Sequence, residues 1–383
     1  MSLSRRKTLA LIGGGAVAAA TAYVGWEATR EPAIARQPWA QAGAPQDPRL
    51  RALSWALLAP NPHNRQPWLA DCRTPGEVTL HARLDRLLPH TDPFGRQITI
   101  GLGCFLELMR MAAAQDGYRT DIATFPNGAD QRALDAAPVA RIAFVRDPGV
   151  ARDPLFAYAR ARRSTKEPYD TGRIVAPEAV VSLANLAHPR ARFGGSVAVA
   201  DIEFWRRLTA DALAIEFTTP RTYRESVELF RIGWREIDAN PDGIDLGGPM
   251  MEMLRLAGFL TREASLDPSS VAYKGGMDAV TENARTGMGF VWLVTPGNSR
   301  QEQLAVGADW LRVNLAATTL GIAFHPMSQA LQEFPEMERL HAQVHRRLAP
   351  EGGTVQMLAR IGYCADDIPP SPRWPLSSFV RTA

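Results

Sequence analysis

Two strongly apolar stretches, one in each half of the 383-residue chain, constrain the fold most. The first runs from Ile98 to Gly117 and the second from Leu304 to Gly321. Each is long enough for a helix of about five turns. Short β-branched and aromatic segments flank both stretches and predict strands. Two such units predict an α+β fold whose halves are unequal, duplicated copies, a pseudo-dimer within one chain.

The N-terminus has the composition of an export signal. A basic start, Ser4-Arg5-Arg6-Lys7, leads into glycines and an Ala-rich apolar run that ends near Val24. Paired arginines before a weakly apolar segment are typical of the twin-arginine route, which carries folded proteins. We therefore predict a signal over 1–26, and a periplasmic or membrane-associated protein that either loses this segment or keeps it as a membrane tether.

The same segment resembles a dinucleotide-binding turn. Gly13 to Ala18 imitates the spacing G-x-G-x-x-A. That motif requires a second strand ending in Asp or Glu, but a Pro-rich stretch from Pro32 to Pro38 follows instead. The sequence thus disfavours a dinucleotide-binding domain at this position.

Composition shifts divide the remaining chain. Residues 27–46 are rich in Pro and Ala and predict a linker. The first half is expected over 47–150 and the second over 151–383. Within the second half, 201–286 is helix-rich around a Gly/Pro-rich centre, Asn240–Pro249, and predicts an insertion that acts as a lid.

Charge and cysteine content exclude several partners. The net charge of +3 is not gathered into blocks, so no nucleic-acid partner is indicated. Cys72, Cys104 and Cys364 are odd in number and form no CxxC pair. Neither a disulfide framework nor a metal site is predicted from them.

A basic motif opens the second half. Arg162 and Arg163 are followed by Ser164 and Lys166. A guanidinium fork and a hydroxyl suit phosphate oxygens, and a lysine two residues beyond the serine lies on the same side of an extended segment. Lysine is rare in this chain: besides Lys166 only Lys7 and Lys274 occur, and all the remaining cationic Lys/Arg positions are arginines. A lysine in this motif therefore favours a binding role over a solvated charge run.

A second motif lies earlier, from Asn61 to Trp68, and reads N-P-H-N-R-Q-P-W. Its amides, Asn64 and Gln66, can both donate and accept hydrogen bonds. Asn61 and His63 complete the polar set. The alternative is a plain turn, which Asn and Pro also favour.

Together the two motifs resemble the FMN signatures of the nitroreductase superfamily, and with the leader they resemble its exported, Acg-type branch. In ordinary members the basic motif comes first and the amide motif follows closely, and each flavin lies between two entwined subunits. Here the order is reversed. Because each half lacks one of the motifs, the resemblance implies one flavin site built from both halves.

The resemblance also implies the cofactor contacts. Arg162, Arg163 and Ser164 would hold the phosphate and ribityl chain, and Lys166 the N1/O2 edge of the ring. The loop with Asn61, His63, Asn64 and Gln66 would close over the cofactor. The backbone of Pro326, Met327 and Ser328 would pass the ring, and Arg373 in the tail would bind phosphate.

The implied activity is electron transfer through flavin N5. NAD(P)H would serve as donor, and a small molecule such as a nitroaromatic or quinone as acceptor. No catalytic side chain is required, because the flavin carries the redox chemistry. The alternative is a non-catalytic FMN-storing protein with a lid over the ring. The sequence leaves monomer and homodimer open.

Overall fold

The computed structural model describes residues 25–27 and 29–382, and the twin-arginine segment lies outside them. Helices and strands are mixed throughout, which confirms the α+β class. The helices are α1 Ala33–Gln41, α2 Pro48–Ala56, α3 Arg96–Gln115, α4 Pro177–Ala187, α5 Val199–Thr218, α6 Pro220–Glu228, α7 Trp234–Ala239, α8 Pro249–Leu256, α9 Arg262–Leu266, α10 Val271–Ala284, α11 Arg300–Thr319 and α12 Glu338–Leu348. The strands are β1 Trp68–Asp71, β2 Glu77–Ala82, β3 Tyr118–Thr124, β4 Pro138–Arg146, β5 Arg192–Ser196, β6 Phe230–Ile232, β7 Ile244–Leu246, β8 Gly289–Thr295, β9 Ala323–Pro326, β10 Thr354–Gly362 and β11 Val380–Arg381.

Two main sheets are formed, one by each half. The first has the order β11-β1-β2-β4-β3, and the second has the order β5-β8-β10-β9. All their pairs are antiparallel except β11 with β1. Because β11 is the C-terminal strand, the second half contributes an edge strand to the first sheet. A small parallel pair, β6 with β7, lies in the insertion.

The two sheets repeat one connection pattern. In the first half β2 leads through α3 to β3 and β4, which pair in the order β2-β4-β3. In the second half β8 leads through α11 to β9 and β10, which pair in the order β8-β10-β9. Each unit is therefore a strand, a long helix and two strands, with the last strand in the middle.

The two long helices pack directly against each other. A Cβ on Gly103 of α3 would come 2.1 Å from the carbonyl oxygen of Leu304, and one on Gly307 of α11 would come 2.1 Å from that of Ile100. Only glycine permits backbones this close. Within the described residues α3 has the length and apolar content of a membrane span, but 89% of its apolar window is buried inside the protein. It is a core helix.

The segment 27–46, whose composition predicts a linker, is held against the rest of the chain. It contains α1, and Trp39 and Ala35 are buried there. The Trp39 indole donates to the Ser371 carbonyl at 2.8 Å, and the Ala35 carbonyl accepts from the Arg373 amide at 2.8 Å. Pro and Ala dominate its composition, but the Trp39 side chain and the Ala35 backbone both form hydrogen bonds with the distant tail.

Candidate functional site

The basic motif lies in an extended segment after the 3₁₀ helix Pro154–Tyr158. The Thr165 amide donates to the carbonyl of Phe324 in β9 at 2.9 Å. From β10, the Arg360 guanidinium donates to the Lys166 carbonyl at 2.7 Å. The segment is therefore fixed along the second sheet by its backbone, which leaves the motif side chains to act elsewhere.

The amide-rich loop from Asn61 to Trp68 has a strained backbone. His63, Asn64 and Gln66 have φ values of 47°, 50° and 50°. This left-handed region is uncommon for residues with side chains, and it persists where the surroundings impose it. The Asn61 side-chain oxygen accepts from the Gln66 amide at 2.7 Å and closes the loop. Clustered strain of this kind points to a functional segment.

Three arginines from two distant parts of the chain, Arg162 and Arg163 from the basic motif and Arg373 from the tail, meet beside this loop. Arg162 and Arg373 both donate to the Leu58 carbonyl, at 3.0 and 3.3 Å. Burial lowers the pKa of Arg162 to about 10, with a further contribution from Arg163. Burial and the two neighbouring guanidinium groups lower the pKa of Arg373 to about 9. Within the described part of the chain, none of the three forms an ion pair with a carboxylate.

Arg162 carries unused donors. Its side chain is buried, and Nε and Nη1 have no hydrogen-bond partner among the described residues. Buried polar atoms are nearly always paired, so two orphaned N–H groups on one guanidinium need an explanation. Ser164 lies two residues after Arg162, and its side chain makes no hydrogen bond to the residues that the structure describes. The donor set matches an anion with several oxygens, such as a phosphate.

Arg373 differs from Arg162 because its donors are taken. It donates to the Leu57 carbonyl at 2.6 Å, the Ala59 carbonyl at 3.1 Å and the Ser371 hydroxyl at 2.7 Å. It thereby caps the C-terminal end of α2, where a cation is favoured. A phosphate would have to displace one of these acceptors, so the phosphate role of Arg373 stays a prediction.

The predicted amides also bind the protein itself. The Asn64 side-chain oxygen accepts from Arg373 at 2.6 Å. Gln66 is fully buried. Its side-chain Nε2 donates to the Pro241 carbonyl at 2.7 Å, and its side-chain Oε1 accepts from the backbone N–H of Trp374 at 3.0 Å. These contacts join the loop, the C-terminal tail and the insertion. Their predicted contacts with the cofactor stay predictions.

Lys166 interacts electrostatically with two histidines and a carboxylate. Solvent reaches the side chain, yet the surrounding protein lowers the pKa of the ammonium through desolvation. Desolvation and then Lys166 lower the pKa of His63 to about 4. Desolvation also raises the pKa of Asp245, which interacts electrostatically with Lys166. Residues from both motifs and from the insertion thus interact around Lys166, and we call this region the cleft.

His325 presents a fixed hydrogen-bond donor near this cleft. Its Nδ1 accepts from Arg360 Nε at 3.1 Å, so the ring proton lies on Nε2. Desolvation, Arg360 and Lys166 all lower the pKa of His325 well below its usual value. The imidazole is therefore neutral near pH 7.

The predicted ring-contact segment follows β9. Met327 is buried, and its amide donates to the Leu358 carbonyl at 2.8 Å, so this N–H is directed into the second sheet. Pro326 has no N–H, and Ser328 is buried. Backbone contacts from this segment to a flavin stay a prediction.

Three polar residues of the site were missed by the sequence analysis. In the sequence, Arg360 interrupts an otherwise apolar strand. Asp242 and Glu216 resemble ordinary surface acids of the insertion. All three are buried. A charged residue at an inward position of a strand was an available signal for Arg360, because such a residue needs buried partners.

Comparisons with known proteins are informative mainly in sequence. No protein-family model matches the chain. The Mycobacterium tuberculosis protein "Putative NAD(P)H nitroreductase Rv3131" is 25% identical over 338 residues, which cover 86% of this chain and 90% of that protein. "Putative NAD(P)H nitroreductase acg" from the same species is 38% identical over 81 residues, covering 21% of this chain and 24% of that protein.

Solved structures show weaker similarity. The FMN-dependent nitroreductase NfnB from Mycobacterium smegmatis in complex with NADPH has a TM-score of 0.35 at 18% identity, covering 58% of this chain and 95% of that chain. A nitroreductase with bound FMN from Bacteroides fragilis has a TM-score of 0.33 at 14% identity, covering 58% and 94%. The fold class therefore rests on the sheets and helices described above.

Proposed function

We propose that this chain is an FMN-dependent oxidoreductase of the nitroreductase superfamily that uses NAD(P)H as its electron donor. The sequence relatives of the chain support the superfamily. The observation that carries the proposal is the buried Arg162 guanidinium, with two unpaired N–H groups, beside Arg373 and the strained amide loop. An anion at this point would satisfy the orphaned donors and offset the repulsion between the arginines.

The phosphate end of FMN would be held by Arg162, with Arg163 and Ser164 beside it. Arg163 is already oriented, since its Nε donates to the Ile368 carbonyl at 2.8 Å and its guanidinium lies 5.1 Å from the Trp39 ring. The positive groups need no conformational ordering to receive a dianion. Charge-assisted hydrogen bonds of this kind are the strong ones.

The ring end would lie in the cleft that holds Lys166. Bound FMN supplies hydride acceptance and electron transfer at N5. The ammonium of Lys166 supplies positive charge, His325 supplies a fixed neutral N–H donor, and Arg360 fixes both by holding the Lys166 carbonyl and the His325 ring. The proposed acceptor is a nitroaromatic, quinone or similar small molecule.

We also propose that the chain is an internal pseudo-dimer. The repeated order β2-β4-β3 and β8-β10-β9, each around a long helix, supports two copies of one unit. The strand β11, exchanged into the first sheet, supports entwined halves. Since the basic motif belongs to the second half and the amide loop to the first, the proposal implies one flavin site per chain.

A storage protein is the second candidate, because the insertion is bonded to the amide loop. The Asn64 carbonyl accepts from the Gly243 amide at 3.3 Å, and Gln66 donates to the Pro241 carbonyl. An insertion anchored there limits access to the cleft. Storage would need a bound flavin that external donors do not reduce.

The first prediction separates these functions. Purified chain, loaded with FMN and freed of excess, should hold one flavin per polypeptide, measured from the absorbance of flavin released by denaturation. Anaerobic NAD(P)H should then bleach the bound flavin. Bound flavin that stays oxidised would favour storage. Two flavins per chain would contradict the single site, and none would contradict the proposed function.

The second prediction concerns Lys166. Replacing Lys166 with Gln should lower the reduction potential by on the order of tens of millivolts, because a positive charge near the reduced anion is lost. Much of the flavin should remain bound, since the phosphate contacts are intact. Lys274, an exposed lysine whose Nζ donates to the Ser269 carbonyl, is the matched control for potentiometry. Equal potentials in both variants would reduce Lys166 to a surface charge.

Export is proposed as well. The paired arginines Arg5 and Arg6 precede a weakly apolar segment, which supports the twin-arginine route. Fractionation of cells that produce the full chain tests this, because an unexported protein would remain with the cytoplasmic fraction.

A further inference from the structure

A line of buried polar groups runs from the insertion into the cleft. The Ser226 hydroxyl of α6 lies 3.3 Å from His63 Nε2 and 3.5 Å from Glu216 Oε1. The other carboxyl oxygen of Glu216 accepts from Gln332 Nε2 at 2.7 Å. Glu216, Ser226 and Gln332 are all buried. The line begins on one side of the insertion and ends at the imidazole beside Lys166.

Glu216 is unusual for a buried carboxyl because no arginine or lysine among the described residues forms an ion pair with it. Buried glutamates are rare without such a partner. Burial raises its pKa to about 7, and Glu225 contributes in the same direction, while the hydrogen bonds from Gln332 and Ser226 oppose it. The group can therefore hold or release a proton near neutral pH.

The other end of the line is a neutral base. Desolvation lowers the pKa of His63 to about 4, and the charges of Lys166 and Arg65 contribute. Its Nε2 faces Ser226, and its Nδ1 makes no hydrogen bond to the described residues. A neutral imidazole between a hydroxyl and a cleft can accept a proton at one nitrogen and release one from the other.

A route for solvent lies next to the line. A cavity of about 490 Å³ opens between α6 and the segment 87–90, and Arg65 and Glu225 line it. Arg65 is two positions after His63 in the chain, and Glu225 directly precedes Ser226. Solvent in this cavity therefore reaches residues that neighbour both His63 and Ser226 in the chain.

We propose that Glu216, Ser226 and His63 form a proton relay that serves the flavin cleft. The proposal rests on the proposed function, because reduction of a nitro or quinone oxygen consumes protons as well as electrons. It assigns to the insertion a chemical role in addition to covering the site. Gln332 is a positioning residue that orients the carboxyl.

Each proton movement in the relay balances. The Glu216 carboxyl gives its proton to the Ser226 oxygen, and the Ser226 hydroxyl proton passes to His63 Nε2. His63 then releases its Nδ1 proton to the oxygen anion of the reduced acceptor. Glu216 is left as a carboxylate and regains a proton from solvent, and rotation of the hydroxyl and the ring restores the starting state. The long contacts of Ser226 are typical of proton-transfer groups before substrate is bound.

The relay has a defined pH dependence. Proton delivery should be full below about pH 7 and should decline above it, because Glu216 loses its proton there. Stability follows the same sign. A carboxyl whose folded pKa is raised makes a stabilising contribution that is complete below its unfolded value of 4.5 and lost as pH rises through about 7.

The test compares Glu216→Gln and Ser226→Ala with wild type in the full chain. Infrared pH titration should show a protonated-carboxyl band that disappears near neutral pH in wild type and is absent in Glu216→Gln. This readout needs neither acceptor nor turnover. The matched control is Glu228→Gln, an exposed glutamate on α6, the helix that carries Ser226, and this variant should keep the band.

Turnover supplies the second readout. Ser226→Ala should slow acceptor reduction by about 10²-fold at saturating acceptor, the low end for general acid catalysis, and Ser226→Thr should restore most of the rate. A missing band in wild type would overturn the relay whether or not flavin binds. The relay would also be overturned if Ser226→Ala bound flavin and kept the wild-type rate and pH profile. A chain that fails to bind FMN would instead refute the proposed function, and the relay would fall with it.

Discussion

Replacing Arg162 with Met should stabilise the flavin-free protein and weaken FMN binding in the same variant. The guanidinium is buried with two unpaired N–H groups and lies near two further arginines. Each unpaired buried donor costs about 1–3 kcal/mol. Its single acceptor, the Leu58 carbonyl, keeps a hydrogen bond from Arg373 after the substitution. Thermal unfolding without flavin should therefore move to a higher temperature.

The loss of binding follows from the same two atoms. A charge-assisted hydrogen bond to phosphate contributes about 1.5–3 kcal/mol, so the dissociation constant for FMN should rise roughly 10- to 150-fold. Fluorescence quenching during titration of the flavin measures this. A stabilised protein with unchanged affinity would show that the orphaned donors have no anionic partner.

The matched control is a buried arginine in which every side-chain nitrogen has a hydrogen-bond acceptor. Arg300 donates to the Asp130 carbonyl at 3.0 Å, the Gln303 side chain at 2.8 Å and the Phe94 carbonyl at 2.6 Å. Arg300→Met should destabilise the protein, because these buried acceptors lose their donor, and should leave FMN affinity unchanged. Opposite signs of stability change at the two buried arginines, together with weaker FMN binding in Arg162→Met alone, would show that Arg162 is placed for a ligand.

Local sequence predicted the elements well where one physical signal dominates. The apolar run from Ile98 to Gly117 predicted α3, whose side chains are almost all buried. The strand β3 gives a weaker signal, because its exposed side chains alternate with half-buried ones and carry little apolar pattern. The helix α1 was missed because its stability comes from contacts with the distant tail.

The sequence predicted which kinds of residue form the site, but it did not predict their hydrogen-bond partners. The sequence indicated that Arg162, Lys166 and the amide loop have anion- and ring-binding groups. It carried no signal that Arg373 would bind Asn64, or that Gln66 would bind Pro241 in the insertion. Such pairs join residues far apart in the chain, and only the packing of the halves determines them. The predicted residues therefore divide into those with free donors and those that build the loop.

These pairings also change how the lid can be tested. Deleting 237–250 would remove Pro241, the partner of Gln66, and Asp242, which lies against three arginines. Such a variant would leave several buried donors without acceptors and would lose stability for reasons unrelated to access. A single substitution at the anchor is the sharper test.

Asp242→Asn should release the insertion from the amide loop and speed reduction of bound flavin by external NADH. The buried carboxylate binds Arg231 at 2.7 Å and lies 3.5 Å from Arg65 and 3.6 Å from Arg86. Without its charge, three partly buried guanidinium groups would lack their shared counter-ion. Breaking a buried ion pair in this way costs about 3–5 kcal/mol of stability. Because Arg65 belongs to the amide loop, part of this free energy holds the insertion closed.

Stopped-flow reduction and chemical unfolding should be measured on the same preparation. The control is Asp267→Asn, an exposed aspartate of the insertion whose side chain accepts hydrogen bonds from Ser269, and it should change neither quantity. If Asp242→Asn loses stability while flavin is reduced at the wild-type rate, the insertion supports the fold without limiting access. Faster reduction together with lost stability would instead assign Asp242 as the anchor of a lid, since one carboxylate would then govern both quantities through the Arg65 segment.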